Sequence, residues 1–427
     1  HFSQNDAGWA GGAIANFDNS TITVIDSTFV DNVATRNGSQ LGGAIYCGDA
    51  TGSLAASLFQ GNSARTGGAV ASARNPLTVT ACTFLDNAAV TSGGSGGAMF
   101  INENSDTTIT GCAFLGIRAV STAGALSNRD GSDVTIVNSL FSGNDALEGG
   151  LRQGGAIWNG SLGLCNLTII NSTFAGNRAD SSGAIHAIDL GPLILNSVFW
   201  DNSATSNPAF GGIARRGGST SNLIQGTAVS GDVVANTDPL FLDADGPDNA
   251  PGTADDDLRL RPGSPALDVG DNAATAEPLD IAGAPRIRNG TIDLGAHEGR
   301  FTTFARSFPG LAPLADDNGN GRSNLLDYLA GDDPTVPHNP GSAPTLVASG
   351  NMFAYSFSRR SSATDGQVIH EKSTDLQTFT PMIEGVDYTV ISRQTLGLEQ
   401  ERVTLQLDVD PALSPLHFFR HRFPTAP

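Results

Sequence analysis

Lysine is almost missing from this 427-residue chain: of its 23 lysine and arginine residues only Lys372 is a lysine. With 43 acidic residues the formal net charge is −20, which argues against nucleic acid and anionic membrane surfaces as partners. Four cysteines are too few to scaffold a chain of this length, and their spacing carries no metal-ligand signature. No apolar run approaches the ~18 residues that a membrane-spanning helix requires. The first half also lacks apolar residues at helical spacing over any dozen positions, so helical repeats are excluded there.

What the chain has in plenty is glycine, 52 residues, and much of it recurs with a phenylalanine. Phe29, Phe59, Phe84, Phe114, Phe141, Phe174 and Phe199 are each followed three residues later by Asn32, Asn62, Asn87, Ile117, Asn144, Asn177 and Asn202. Only Ile117 departs from Asn. Between these anchors fall steps such as Gly42-Gly43-Ala44-Ile45, Gly67-Gly68-Ala69-Val70, Gly96-Gly97-Ala98-Met99 and Gly154-Gly155-Ala156-Ile157. Anchors lie 25 to 33 residues apart, and a fixed core with variable spacing means one supersecondary unit stacked with loops of changing length.

Each unit also carries a β-branched run, such as Thr21-Ile22-Thr23-Val24 or Val134-Thr135-Ile136-Val137, which reads as a strand. Its apolar residues sit seven and five positions before the Phe, at odd parity to it. Both sets can face one interior only if the chain bends between them, at pairs such as Asp26-Ser27, Ala81-Cys82 and Asn171-Ser172. The predicted fold is therefore all-β: a right-handed parallel β-helix of about eight coils, followed by a small C-terminal β-sandwich-like domain. Stacked ~4.8 Å apart, the Phe residues fill the core and the Asn residues satisfy corner backbone groups. The Gly pairs supply tight turns or close approach.

Stacking also places Cys82 and Cys112 on adjacent coils, within reach of a disulfide or as a buried thiol pair in place of the serines of other coils. Phe2-Ser3-Gln4-Asn5 and Gly11-Gly12-Ala13-Ile14 already belong to a coil. Two readings follow: a fragment, or an open first coil whose unpaired strand edges invite self-association head to tail.

The coil pattern assigns residues 1–237 to the β-helix. From Asp238 the composition turns to Asp, Pro and Gly, and 238–300 is read as a terminal coil or cap closing on Asn289-Gly290-Thr291-Ile292-Asp293-Leu294-Gly295-Ala296-His297-Glu298. This segment resembles the C-terminal part of bacterial surface proteins of the choice-of-anchor Q type. The coils are similar to pectate-lyase-like and polymorphic outer-membrane-protein repeats. Residues 301–344 form an Asn/Asp-Gly loop and a Pro-rich linker, and 345–427 a strand-rich module similar to C-terminal modules on exported proteins of Verrucomicrobia-like bacteria. The resemblance implies an exported bacterial protein, extracellular or at the cell surface.

Two stretches are candidate Ca²⁺ sites, since Ca²⁺ takes six to eight oxygen ligands. Asp243, Asp245 and Asp248, with Asp255, Asp256 and Asp257 nearby, offer one; the alternative is a solvated acidic loop. Asp316, Asn318, Asn320, Arg322, Asn324 and Asp327 follow EF-hand loop spacing, with Gly321 at position six. The closing Asp resembles dockerin modules, though no second copy exists. The alternative is a polar turn capping a short helix over 323–329.

Catalytic signatures were sought next, because parallel β-helices often carry polysaccharide-cleaving sites. The coils hold no lysine to serve as a lyase base, and no Gly-His-Gly or Arg-Ile-Lys step accompanies Asn236-Thr237-Asp238. Arg129, Asp130 and Asp133 read as a solvated turn, and His186 beside Asp189 as a surface or ladder residue. Two functions remain: an adhesive or structural surface rod, or a carbohydrate-active or glycan-binding relative. Tyr46, Phe100 and Trp158, each just after the Gly-Gly-Ala step, bear on the second if they line an outer face, and on neither if they face the core.

Overall fold

A computed structural model describes residues 1–299 apart from 36–39, 147–150, 162, 227–231, 233, 262–263, 276 and 289. Beyond them it describes 327, 345–349, 352–360, 369–373, 380–382, 388–395, 400–407 and 418–422. The chain divides into two compact units, His1–Gly299 and Arg300–Pro427.

Among the described residues the first unit is a parallel β-solenoid of about eight coils, built from sheets of ten, eight, seven and six strands. The seven-stranded sheet runs from Thr21–Ile25 to Leu193–Leu195 and collects the β-branched runs. The ten-stranded Phe sheet runs from Phe2–Ser3 through Thr28–Val30 to Val234–Ala235. Between the two the backbone turns through a single left-handed residue per coil, Asp26, Ala56, Ala81, Gly111, Asn138, Asn171 and Asn196, at φ of 46° to 62°. This is the bend that side-chain parity requires. Register pairs Phe2, Phe29, Phe59, Phe84, Phe114, Phe141, Phe174 and Phe199 in succession. Their rings stack at 4.5–4.9 Å and within 8° of parallel.

At the next corner the asparagines form a continuous amide row. Asn32 donates its backbone N–H and its Nδ2 to Oδ1 of Asn62, at 3.0 and 2.9 Å, and Nδ2 donates again to the carbonyl of Phe2. The pattern repeats from Asn62 to Asn87 and from Asn144 to Asn177 to Asn202. These side chains from Asn32 to Asn177 are fully buried, so the amides satisfy corner groups that would otherwise be orphaned. A parallel row of hydroxyls, Ser57, Ser139, Ser172 and Ser197, serves the preceding corner. Cys82 and Cys112 take two places in it as free, buried thiols, with Cys82 N–H donating to Cys112 Sγ at 3.4 Å.

The six-stranded sheet, Val33–Ala34 to Arg178–Ala179, and the eight-stranded sheet, Ile14–Asn16 to Phe210–Gly212, complete each coil. The Gly-Gly step joins them. Its first glycine takes a positive φ of 62° to 69° at Gly42, Gly67, Gly96 and Gly154. A Cβ on its second would collide with the carbonyl of the next coil.

The described residues of 238–300, read from the sequence as a terminal coil or cap, join none of the four sheets. They lie along the outer face of the Phe sheet, where Phe241, Leu258, Leu260, Ala266 and Leu294 pack on Leu115, Leu140, Ala175, Val198 and Leu223. Corner side chains fasten this cover: Asn138 donates to the Leu279 carbonyl at 2.7 Å, and Asn196 bonds both the N–H and the carbonyl of Asp271.

In the second unit a four-stranded antiparallel sheet runs in the order Thr345–Ser349, Met352–Arg360, Gln400–Leu407, Tyr388–Thr395, with Phe357, Val403 and Leu405 buried. Thr380–Pro381, Ile369–Ser373 and Phe418–Arg422 form a second antiparallel sheet. These strands fall where the sequence places the C-terminal β-module.

Candidate functional site

The outer face of the eight-stranded sheet forms a groove along the coils. Register aligns Ala15, Tyr46, Ala71, Phe100, Ser127, Trp158, His186 and Gly211 in one row. Their neighbours Ile45, Val70, Met99, Leu126, Ile157 and Ile185 point into the core. Period-two alternation therefore puts Tyr46, Phe100 and Trp158 on the outer side, which decides against the core-facing reading. From Ala15 to Trp158 small and large side chains alternate, so the rings of Tyr46, Phe100 and Trp158 recur every second coil, about 9.6 Å apart.

Each large ring has a distinct covering. Tyr46 lies under Trp9 and Phe17, which stack on each other at 5.5 Å; Trp9 is 48% exposed. Phe100 is half-buried and open to the groove. Trp158 is buried beneath Arg129, whose guanidinium sits 4.2 Å from the indole centre and 5.8 Å from that of Phe100. The small Ser127 between the two rings leaves room for this guanidinium.

Arg129 is thus no solvated turn residue, as the sequence suggested. Its Nε donates to Ser127 Oγ at 3.0 Å, and one Nη donates to Ser95 Oγ and Thr122 Oγ1, each at 3.2 Å. Burial pulls its pKa below the ordinary arginine value, and the nearby Asp130 acts in the opposite direction. Arg129, Tyr46, Arg65, Phe100, Asn102 and Glu103 line a cleft of about 360 Å³. On its rim Arg74 holds Asp49 and Glu103 together.

His186 continues the row, 7% exposed, with Nδ1 2.8 Å from Ser182 Oγ. Burial lowers its pKa. Asp189 turns away from it to accept the Ser161 N–H at 2.6 Å. The two are therefore not arranged as a base and its orienting acid, in keeping with a ladder histidine.

The acidic candidates lie elsewhere. Asp243 ends the strand Phe241–Asp243 and is exposed, while the Asp245 carbonyl and a carboxylate oxygen of Asp248 both accept the Ala250 N–H. Asp256 accepts from Ser142 Oγ and the Gly252 N–H, and Asp257 pairs with Arg259. Among the described residues no group of three or more His, Cys, Asp or Glu side chains is placed to hold a metal ion. Asp316, Asn318, Asn320, Arg322 and Asn324 lie outside the described residues; Asp327 is fully buried.

Sequence reasoning missed a second cluster, inside the cover. Arg286, 1% exposed, donates to the carbonyls of Asp293, Gly295 and Ala296. Around it Asp280, Asp293 and Glu298 accept backbone N–H groups of Ala282, Ala284, Glu298, Asp268, Gly299, Arg288 and Asp293. Burial pushes Asp293 up to about 7 and Glu298 up to about 8, against the pull of those backbone donors. Every carboxylate there is turned to backbone, so the cluster reads as a lock on the fold. The Asp and Glu of the closing motif were its only trace in the sequence.

No family model, curated protein or solved structure matches the chain, so the functional reading rests on this geometry.

Proposed function

We propose that this chain is an exported bacterial surface rod of the choice-of-anchor type. Its adhesive surface is the groove on the eight-stranded sheet, where it binds an extended carbohydrate. The observation that carries the reading is the open part of this face: half-buried Phe100 lines a cleft of about 360 Å³ and Trp9 is 48% exposed, while Tyr46 and Trp158 lie beneath Trp9, Phe17 and Arg129 as its floor. Apolar faces of sugar rings stack on aromatic rings, and a shallow trough lined by such rings with polar groups at its edge suits a polymer. Binding is favoured over cleavage because the acids on the cleft rim, Asp49 and Glu103, are both engaged by Arg74. Likewise His186 is tied to Ser182.

The test is affinity electrophoresis of the full chain in gels cast with soluble β-linked polysaccharides, with the Trp9→Ala/Phe100→Ala double variant alongside. Retardation that weakens about tenfold in the variant, worth ~1.4 kcal/mol, is expected. Free migration of the wild type in every polymer, or equal retardation of both proteins, overturns the reading. Calcium binding by the 316–327 loop belongs to the same proposal for the second unit. Ca²⁺ at about a hundred times its dissociation constant should add ~2.7 kcal/mol of stability, and an unchanged melting curve with chelator would remove it.

A further inference from the structure

The strongest unassigned group in the molecule is the Arg129 guanidinium. Its hydrogen bonds go to three hydroxyls, Ser127, Ser95 and Thr122, and to no carboxylate. Its other Nη makes no hydrogen bond to the described residues. A half-buried cation is ordinarily neutralised by an acid, because desolvation is otherwise uncompensated. Here Asp130 acts on it only through space, without a hydrogen bond, and the hydroxyls and the rings of Trp158 and Phe100 hold it, facing a cleft of about 360 Å³. The buried indole Nε1 of Trp158 likewise finds no acceptor. A cation that lines the cleft and is hydrogen-bonded to no carboxylate leaves a place for an oxyanion.

The rest of the groove limits how many such groups a ligand can carry. Arg74 is committed to Asp49 and Glu103. The row positions flanking Arg129 are Ala71, Ser127 and a His186 whose burial disfavours its charged form, and Arg65, the other arginine lining the cleft, is exposed to solvent rather than set into the stack. A polymer with a carboxylate on every sugar would set its other charges against Glu103 and Asp49, in a protein of net charge −20. We infer that the groove takes a largely neutral glycan bearing an isolated anionic substituent, a carboxylate or sulfate, and that Arg129 is the residue that reads it.

This inference rests on the glycan reading above, and the two can fail separately. The experiment compares four polymers in affinity electrophoresis: gellan, which carries one uronate per repeat of otherwise neutral sugars; carboxyl-reduced gellan; polygalacturonate; and a sulfated neutral glucan of low substitution. Wild type, Arg129→Met and Arg129→Lys are run against each, with melting temperature as the control for folding. Gellan or the sparsely sulfated glucan should bind about tenfold tighter than carboxyl-reduced gellan, and which of the two does so identifies the oxyanion. Arg129→Met should abolish that preference while keeping the weaker neutral binding, and Arg129→Lys should restore part of it, since lysine keeps the charge without the planar fork. Equal binding of gellan and its reduced form, or tightest binding to polygalacturonate, overturns the inference and leaves the glycan reading standing. No retardation by any of the four overturns both.

Discussion

The solenoid presents two outer faces built from the same repeat, and they have opposite fates. On the Phe sheet the outward positions Leu115, Leu140, Ala175, Val198 and Leu223 are apolar and packed under residues of the 238–299 segment, with Ser142 among them bonded to Asp256. On the eight-stranded sheet the outward positions from Ala15 to Trp158 alternate small residues with aromatics, and single side chains rather than a layer cover them, Trp9 and Phe17 over Tyr46 and Arg129 over Trp158, with Phe100 left half-open. A mostly apolar strip with a few hydroxyls to bond gives another layer both a surface to cover and points to fasten. An uneven strip of rings and gaps makes a surface that a second sheet or loop cannot pack without voids. The difference is visible at the corner glycines too. Gly116 and Gly143, under the cover, have no room for a side chain against Gly252 and Pro251, whereas Asp31 occupies the same place on an uncovered coil.

The comparison can be broken most severely at Arg286. Arg286→Leu strips three buried carboxylates of their cation and should cost ~3–5 kcal/mol, read by thermal unfolding. Glycan affinity of the protein that remains folded should be unchanged. A loss under ~1 kcal/mol would mean that the cluster does not lock the cover. Next in size is a paired substitution: Gly143→Asn forces a side chain into Pro251 and should cost about 2–3 kcal/mol. Gly61→Asn, on an uncovered coil, should stay within ~0.5 kcal/mol. Equal effects at both sites would show that the cover does not bear on the corner.

A smaller effect separates the faces by pH. Asp293 and Glu298 have folded values raised to about 7 and 8, above their unfolded ones. The folded state therefore holds more protons than the unfolded between about pH 4 and 8, and stability falls across that window as pH rises. Hydrogen exchange should show residues 265–299 losing protection from pH 5 to pH 8, while amides of the eight-stranded sheet, corrected for intrinsic rate, stay level. The smallest change in stability is expected at Asp49→Asn on the groove rim. It should leave the melting temperature unmoved yet raise polygalacturonate binding several-fold, because Arg74 would be released from one of its acids.

Much of this was written in the repeat. The Phe and Asn ladders were legible because each keeps a fixed offset, and the bend followed from parity alone. The orientation of Tyr46, Phe100 and Trp158 was left open because a strand beginning at a glycine turn can start on either face. Reading down the coils resolves it. The position after Gly-Gly-Ala is aliphatic or Met at every step from Ile45 to Ile157, whereas the next runs Tyr46, Ala71, Phe100, Ser127, Trp158. A core layer does not tolerate such swings in volume. The cover was harder to see, since its signal is scattered over single positions: outward aliphatics, and a change from Asp26, Ala56, Ala81 and Gly111 to Asn138, Asn171 and Asn196 at the bend. Arg129 was misread because its sequence neighbours are polar, while its contacts come from the coils on either side.

Ile117 gives the rod a seam. The amides of Asn5, Asn32 and Asn62 each donate to the next asparagine, ending on Asn87, and those of Asn144 and Asn177 do the same, ending on Asn202, which makes each set an aligned row of dipoles whose members polarise one another. At Ile117 the row has no Oδ1 to receive from Asn87, and only a backbone N–H donates onward to Asn144. In an array stabilised by nearest-neighbour terms, the weakest coupling between units decides where cooperativity divides. One isoleucine thus divides the amide row into two blocks, while the phenylalanine stack runs unbroken through the seam.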